Sequence, residues 1–386
     1  MKPLGIYIHI PFCVQKCRYC DFSSFPVNDP DTHLSYIMKV IYELRSRRPL
    51  LAEGTGGSCD SVPVVDTIYI GGGTPSLLEA GFITELLDAL YTTYRVTDDA
   101  EVTIEVNPGT AEPGKLRRYL ASGINRISVG AQSFDSRTLA FLGRIHSRDD
   151  SLRCVLDAQT AGFEDVNIDL IFGVPGQGLS GWEKDLEACT TLGPSHVSFY
   201  SLQIEEGTPL HTDYINGEFE ALDEACDRSM YKAAKERLAE HGLLQYEISN
   251  SARPGHESRH NLKYWSLEPY AGFGAGAHSH LAGMRFSNKA GLTAYLTAED
   301  DADMTDWVHE NSLSDDMSEF VFLGLRRTAG IELSRFRAHF GKDFYELYGE
   351  ETERLIGRGL LEQNGDSLRL TTLGLDLANN VFCEYV

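Results

Sequence analysis

Six times between residues 4 and 240, a short apolar and β-branched run gives way to an amphipathic stretch of helical period. LGIYIHI leads to DTHLSYIMKVIYELRSRR, VVDTIYI to EAGFITELLDALYTTY, and EVTIEVNP to EPGKLRRYLASG. RISVGAQSF leads into a helical region ending at Gly162, VNIDLIFGVPG to WEKDLEACTTLG, and HVSFYSLQI to LDEACDRSMYKAAKERLAEHG. Strands separated by whole helices pair in parallel, with right-handed crossovers covering the sheet. The placement of polar residues favours a curled sheet. Three cysteines follow the first strand, Gly71–Gly73 follow the second, Glu105 and Asn107 end the third, Gln132 ends the fourth, and Asp169 lies in the fifth. Polar groups gathered at strand C-termini form the mouth of a (β/α) barrel. The expected fold class is therefore α/β, a partial (β/α)6 TIM-like barrel open on one side and spanning residues 1–245.

Beyond it the pattern loosens. Residues 246–310 contain YEISNSARPGHESRHNLKYWSLEPYAGFGAGAHSHLAG, rich in His, Gly and aromatics, and read as a connecting segment with the length of a functional loop. Residues 311–386 read as a mainly helical, winged-helix-like domain, with an Asn-Gly turn expected at 364–365 ahead of the strand SLRLT. Winged modules often bind DNA, but the formal charge of −23 argues against a nucleic-acid partner and for a packing or lid role. With 42% hydrophobic and 24% charged residues, and no apolar run of membrane-spanning length, the chain has the composition of a soluble protein. MKPLGIYIHIPF reads as a first strand and not as a leader, so the expected location is cytoplasmic, where the eight cysteines stay reduced. Cys59, Cys154, Cys189, Cys226 and Cys383 are scattered singly, and Cys226, like His9, is read as structural.

The other three cysteines cluster. Cys13, Cys17 and Cys20 are spaced C-x3-C-x2-C, and Phe22 stands where a further ligand might fall. Zinc asks for four protein ligands, or three and a water, whereas a redox pair needs only two thiols. An iron–sulfur cluster held by three thiolates keeps one iron free for a ligand. In YIGGGTPSLL the glycines bring bare backbone to a strand end, where a ligand can approach closely.

The C-x3-C-x2-C spacing, with Tyr19 directly before the last cysteine, resembles the signature of the radical S-adenosylmethionine superfamily. The resemblance implies a [4Fe–4S] cluster on Cys13, Cys17 and Cys20 whose free iron chelates S-adenosylmethionine. It narrows over residues 7–176, where YIHIPFC, GGGTP, TIEVNP, RISVGAQSF and NIDLIFGVPG resemble the oxygen-independent coproporphyrinogen III oxidase group and its heme-chaperone branch. Carried over by motif, Tyr7, Tyr19, Gly72, Gly73, Thr74, Glu105, Gln132, Arg144 and Asp169 are expected to contact S-adenosylmethionine, with Arg148 a competitor for the place of Arg144. The carboxylates accept from ribose hydroxyls or the ammonium, and the arginine pairs with a carboxylate. Each also has a structural reading, as a helix cap or a surface ion pair.

The resemblance also implies where the branches part. The dehydrogenases carry a further cysteine at the place of Phe22 and an extension ahead of the first strand, where this sequence has only Met1–Leu4. HNLKYW at 260–265 resembles the H-N-x-x-Y-W motif of the heme chaperones, making His260, Tyr264 and Trp265 heme-binding candidates, with His278 and His280 as rival ligands. The expected function is a chaperone that carries heme as cargo to a respiratory, membrane-associated acceptor. The cluster is expected to promote a homodimer, and the electron donor is unnamed. The alternative is oxidative decarboxylation of coproporphyrinogen III.

Overall fold

Along β1 (Leu4–Ile10), Leu4, Ile6, Ile8 and Ile10 are wholly buried in the main hydrophobic core, and Gly5, Tyr7 and His9 point to the opposite face. A computed structural model describes residues 2–386, and the same parity recurs in the next five strands. In β2 (Val64–Gly72), β3 (Arg95–Val106), β4 (Arg126–Gln132), β5 (Asp165–Phe172) and β6 (His196–Ser201), Ile68, Ile104, Ile127, Ile168 and Val197 join the core beneath the helices. Their neighbours Tyr69, Glu105, Ser128, Asp169 and Ser198 line one cavity on the concave side. The curl follows from this two-sided chemistry. Helices cover the apolar convex face, and the polar concave face surrounds a lumen.

β1 to β6 are parallel and adjacent in chain order, but the arc does not close. β6 pairs with β8 (Asn250–Ala252), which pairs with β7 (Leu244–Glu247). On the other flank β1 pairs in parallel with β9 (Tyr270–Phe273), and β10 (His278–Leu281), β11 (Met284–Asn288) and β12 (Thr305–Glu310) continue antiparallel. Among the described residues the sheet therefore has twelve strands. The expectation of a loop-like connecting segment over 246–310 is corrected here. That stretch holds strands of three to six residues and the helix Arg259–Trp265. Such short strands are stabilised by long-range pairing and leave little periodic trace in sequence.

The C-terminal residues build a second core from Phe320, Val321, Phe336, Leu355, Leu368 and their neighbours. Helices Leu313–Gly324, Leu333–Phe340 and Phe344–Gly357 precede a hairpin of β14 (Leu361–Asn364) and β15 (Ser367–Leu370), with β13 (Ile331–Glu332) on the outer side of β15. The hairpin turn sits one residue later than the Asn-Gly expected from sequence. Asn364 pairs with Ser367, so Gly365 and Asp366 make the turn, with φ of +60° at Gly365 as a leading turn glycine requires.

Candidate active site at the mouth of the barrel

The loop after β1 is pinned at both ends. The Cys13 N–H donates to the Phe25 carbonyl at 3.0 Å, and the Arg18 N–H donates to the Leu142 carbonyl at 3.2 Å. Arg18 also pairs with Asp213. The Gly72–Gly73 turn fits tightly against this loop. Gly72 has φ of +110°, and a Cβ on Gly73 would stand 2.7 Å from the Phe12 carbonyl oxygen and 3.1 Å from Cys13 Sγ. Neither position accepts a side chain.

Cys13, Cys17 and Cys20 line a cavity of about 410 Å³ together with Tyr19, Gly72, Gly73, Thr74, Glu105, Gln132, Arg144 and Asp169. The Thr74 hydroxyl donates to Cys13 Sγ at 3.7 Å, and the Arg144 guanidinium donates to Cys17 Sγ at 3.4 Å, to Asn107 Oδ1 at 2.6 Å and to the Gly130 carbonyl at 2.7 Å. Arg148 is exposed at the start of a helix, so the structure brings Arg144 and not Arg148 to the site. Burial raises the pKa of Cys13 and Cys20, while the Arg144 charge acts the other way on Cys13. Gln132 is held at φ of +64° where the β4–β5 register slips, a left-handed conformation that re-aims its side chain.

The two carboxylates differ in their support. Glu105 accepts from the Tyr69 hydroxyl and the Gly72 N–H, both at 2.9 Å, yet burial and then the neighbouring Asp169 push its pKa up to about 7. Asp169 accepts from Ser128 at 2.9 Å and from Asn167 at 2.8 Å, and burial still raises its pKa. Tyr69, Ser128 and Asn167 are supporting residues that the sequence reading passed over. Their signal was period two, since each lies an even number of positions from a residue already singled out.

Several candidates lie elsewhere. Tyr7 packs beside the cavity against Tyr69 and donates to His9 Nδ1 at 2.9 Å, without being one of the lining residues. His260 lies near the opposite end of β1 and β2 from the cysteines. Its Nδ1 is bonded to Thr67 Oγ1 at 2.9 Å and its Nε2 to the Tyr264 hydroxyl at 2.7 Å. Burial and the Lys263 charge lower its pKa to about 3. Both of its nitrogens are engaged, so this conformation offers no lone pair to a heme iron. Tyr264 meets Tyr270 edge-on at 4.6 Å, and Trp265 lies under the Arg326 guanidinium at 4.3 Å. Both rings are half-buried, each with protein already packed against it. His278 is exposed at the start of β10, whereas His280 is buried.

The donor set suits a cluster. Cys13, Cys17 and Cys20 are the thiols that line the cavity, and three thiolates on a cluster leave one iron free for a ligand, whereas a structural zinc asks for four protein ligands.

Fold and site together define a radical S-adenosylmethionine protein. Residues 7–189 match the family model of the radical SAM superfamily, and residues 311–377 match that of the HemN C-terminal domain. The chain is 34% identical to the heme chaperone HemW of Bacillus subtilis, over 98% of both chains. It is 35% identical to that of Lactococcus lactis, over 100% of this chain and 98% of the relative. The coproporphyrinogen III oxidase HemN of Escherichia coli, a radical SAM enzyme, shares the fold, with a TM-score of 0.85, 21% identity and coverage of 100% of this chain and 90% of that one. The chain belongs to the HemW family. No described helix is long and apolar enough to cross a membrane.

Proposed function

We propose that this protein is a heme chaperone that holds a [4Fe–4S] cluster and S-adenosylmethionine at the barrel mouth, binds heme beside them and passes it to a respiratory acceptor. The observation that carries the reading is the end-to-end similarity to relatives named heme chaperone HemW. Phe22, in the place the resemblance gives to a further cysteine in the dehydrogenases, points the same way.

The residues present fit both cofactors. Cys13, Cys17 and Cys20 would hold the cluster, and Glu105 and Asp169 give a cationic nucleoside two half-buried carboxyl partners. Arg144 and Asn107 would orient a carboxylate, and Gly72 and Gly73 leave backbone groups open to it. Bound there, the cluster can supply one electron to the sulfonium.

For heme, the mouth supplies apolar surface. Val14, Phe22 and Ile145 rim the cavity and remain 48%, 58% and 65% exposed. β9 runs parallel to β1 and β10 runs back, so His278 starts β10 at the cysteine end of the sheet. Gly276, two residues earlier, abuts Ser23 of the cysteine loop. An exposed imidazole there can take an axial position and release it again.

The test is an anaerobic heme titration of the cluster-loaded protein, followed at the Soret band, beside an assay with coproporphyrinogen III, S-adenosylmethionine and reductant. Saturable heme binding, weakened at least tenfold in His278→Ala and unchanged in His260→Ala, is the expected result. Multiple-turnover formation of protoporphyrinogen would replace the chaperone reading with the dehydrogenase. Unaltered heme spectra in His278→Ala would remove the ligand assignment alone.

A further inference from the structure

On the far flank of the sheet, away from the cysteines, one imidazole is buried without a well-formed hydrogen bond. His280, in β10, is 7% exposed; neither Nδ1 nor Nε2 meets a partner in good hydrogen-bond geometry, although the backbone of Glu268 lies close by. Two carboxylates face it from the helix Leu313–Gly324. Asp316 and Glu319 are three residues apart and so share one face of that helix. One ligand atom from each of His280, Asp316 and Glu319 lies within 4.8 Å of the other two.

We propose that His280, Asp316 and Glu319 form a site for a divalent first-row metal ion of the zinc type, separate from the cluster site and fastening the C-terminal core to the sheet. An imidazole that bonds neither carboxylate directly leaves a gap. An ion about 2.1 Å from each donor spans up to about 4.2 Å between them. One imidazole with two carboxylates suits zinc, iron(II) or manganese(II) better than calcium, which asks for oxygen alone.

The surroundings hold the carboxylates in place. Arg285 clamps Glu319 with Nε at 2.6 Å and Nη2 at 2.7 Å, and its Nη1 reaches the Tyr270 hydroxyl at 3.3 Å. Asn311 Nδ2 bridges Asp316 Oδ1 at 2.9 Å and Glu319 Oε2 at 3.0 Å. Glu319 Oε2 is filled by its two donors, but Glu319 Oε1 and Asp316 Oδ1 accept one bond each and keep a further lone pair for a metal, and such outer hydrogen bonds orient metal-binding carboxylates. Two carboxylates against one guanidinium leave a net negative charge, which a cation offsets. Arg285 also limits the affinity, so the site should exchange its ion.

The placement gives the ion a structural task. Leu281, beside His280, belongs to the main core, while Met317, Phe320 and Val321, on the helix of the two carboxylates, belong to the second. A metal at this seam joins the two cores.

The experiment uses the full-length chain with Cys13, Cys17 and Cys20 changed to Ser, so that the loop thiols cannot take zinc. Zinc chloride is titrated calorimetrically, and thermal unfolding is followed with and without zinc. The proposal expects one saturable equivalent of zinc and a zinc-dependent rise in Tm. Affinity should fall at least tenfold in His280→Ala and in Asp316→Asn, with the metal-free Tm of Asp316→Asn near that of the parent. Equal zinc binding in parent and Asp316→Asn would overturn it, as would no saturable binding in the parent, which would leave the gap to water. If His280→Ala does not fold, His280→Gln and Asp316→Asn carry the same decision.

Discussion

Glu105 has the most demanding environment of the residues in the mouth. Half-buried and beside another carboxylate, it has its pKa pushed up from 4.5 to about 7. Burial penalises the charged form, so Glu105 is protonated below about pH 7 and ionised above it. A cationic ligand such as S-adenosylmethionine needs the ionised form. Its affinity should therefore rise with pH, levelling off above about pH 8, and be roughly tenfold weaker one unit below the pKa, since only the competent fraction binds. Calorimetric titration of S-adenosylmethionine between pH 5.5 and 8.5 measures this. Glu105→Gln should bind weakly and lose the pH dependence, and a flat profile in the parent would remove Glu105 from the binding group. At this scale the sequence was informative where a polar residue interrupts a strand end, as at Glu105, Gln132 and Asp169. It did not separate Tyr7, which shares the concave face with its register partner Tyr69 but is packed against Tyr69 and His9, because strand parity gives the face and not which neighbour stands in front.

The helix Arg259–Trp265 makes the same distinction for a whole element. Its N-terminus is docked on β3: Glu101 accepts the Arg259 N–H at 2.8 Å and the His260 N–H at 3.0 Å. Ser258 caps it through the Asn261 N–H at 3.3 Å. Asn261 reaches the floor of the cavity, while His260 stacks on Tyr69 with ring centroids 5.4 Å apart. The element closes the lumen at the end opposite the cysteines. HNLKYW was legible as a unit that matters, but its sequence does not state which end of the barrel it occupies, and that place decides whether His260 is open to heme. Thr67→Val should cost about 1–3 kcal/mol of unfolding free energy in urea, because it leaves a buried ring nitrogen unpaired. His260→Ala should cost at least as much. Neither should shift the Soret titration, and a loss of heme affinity without loss of stability would return His260 to the role of ligand.

Over the whole molecule, the six parallel units could be read because each strand carries its own apolar run and each helix its own period. The antiparallel flank could not, since β9 to β12 are specified by contacts with distant segments. One set of those contacts radiates from a buried ion pair. Glu43, in the last turn of the helix Pro30–Ser46, and Arg47, its C-cap residue, are 0% and 3% exposed and meet at 2.7 Å. Glu43 also accepts the Gly274 N–H at 2.9 Å, Asn288 Nδ2 at 2.7 Å and the Tyr295 hydroxyl at 2.5 Å, while Arg47 donates to Asn288 Oδ1 at 2.8 Å. One carboxylate thus ties the first helix to the strand ends of β9 and β11 and to the segment beyond. Replacing it alone strands a buried guanidinium, so Glu43→Ala should lose about 3–5 kcal/mol in urea unfolding. Glu43→Leu combined with Arg47→Leu should recover most of that loss, because it removes both charges and keeps the volume. Hydrogen exchange locates the effect. In Glu43→Ala, faster exchange should concentrate in β9 to β11 while β3 to β5 stay protected, because the parallel strands are held by their own core. Uniform loss of protection across all twelve strands would mean instead that the flank and the barrel unfold as one unit.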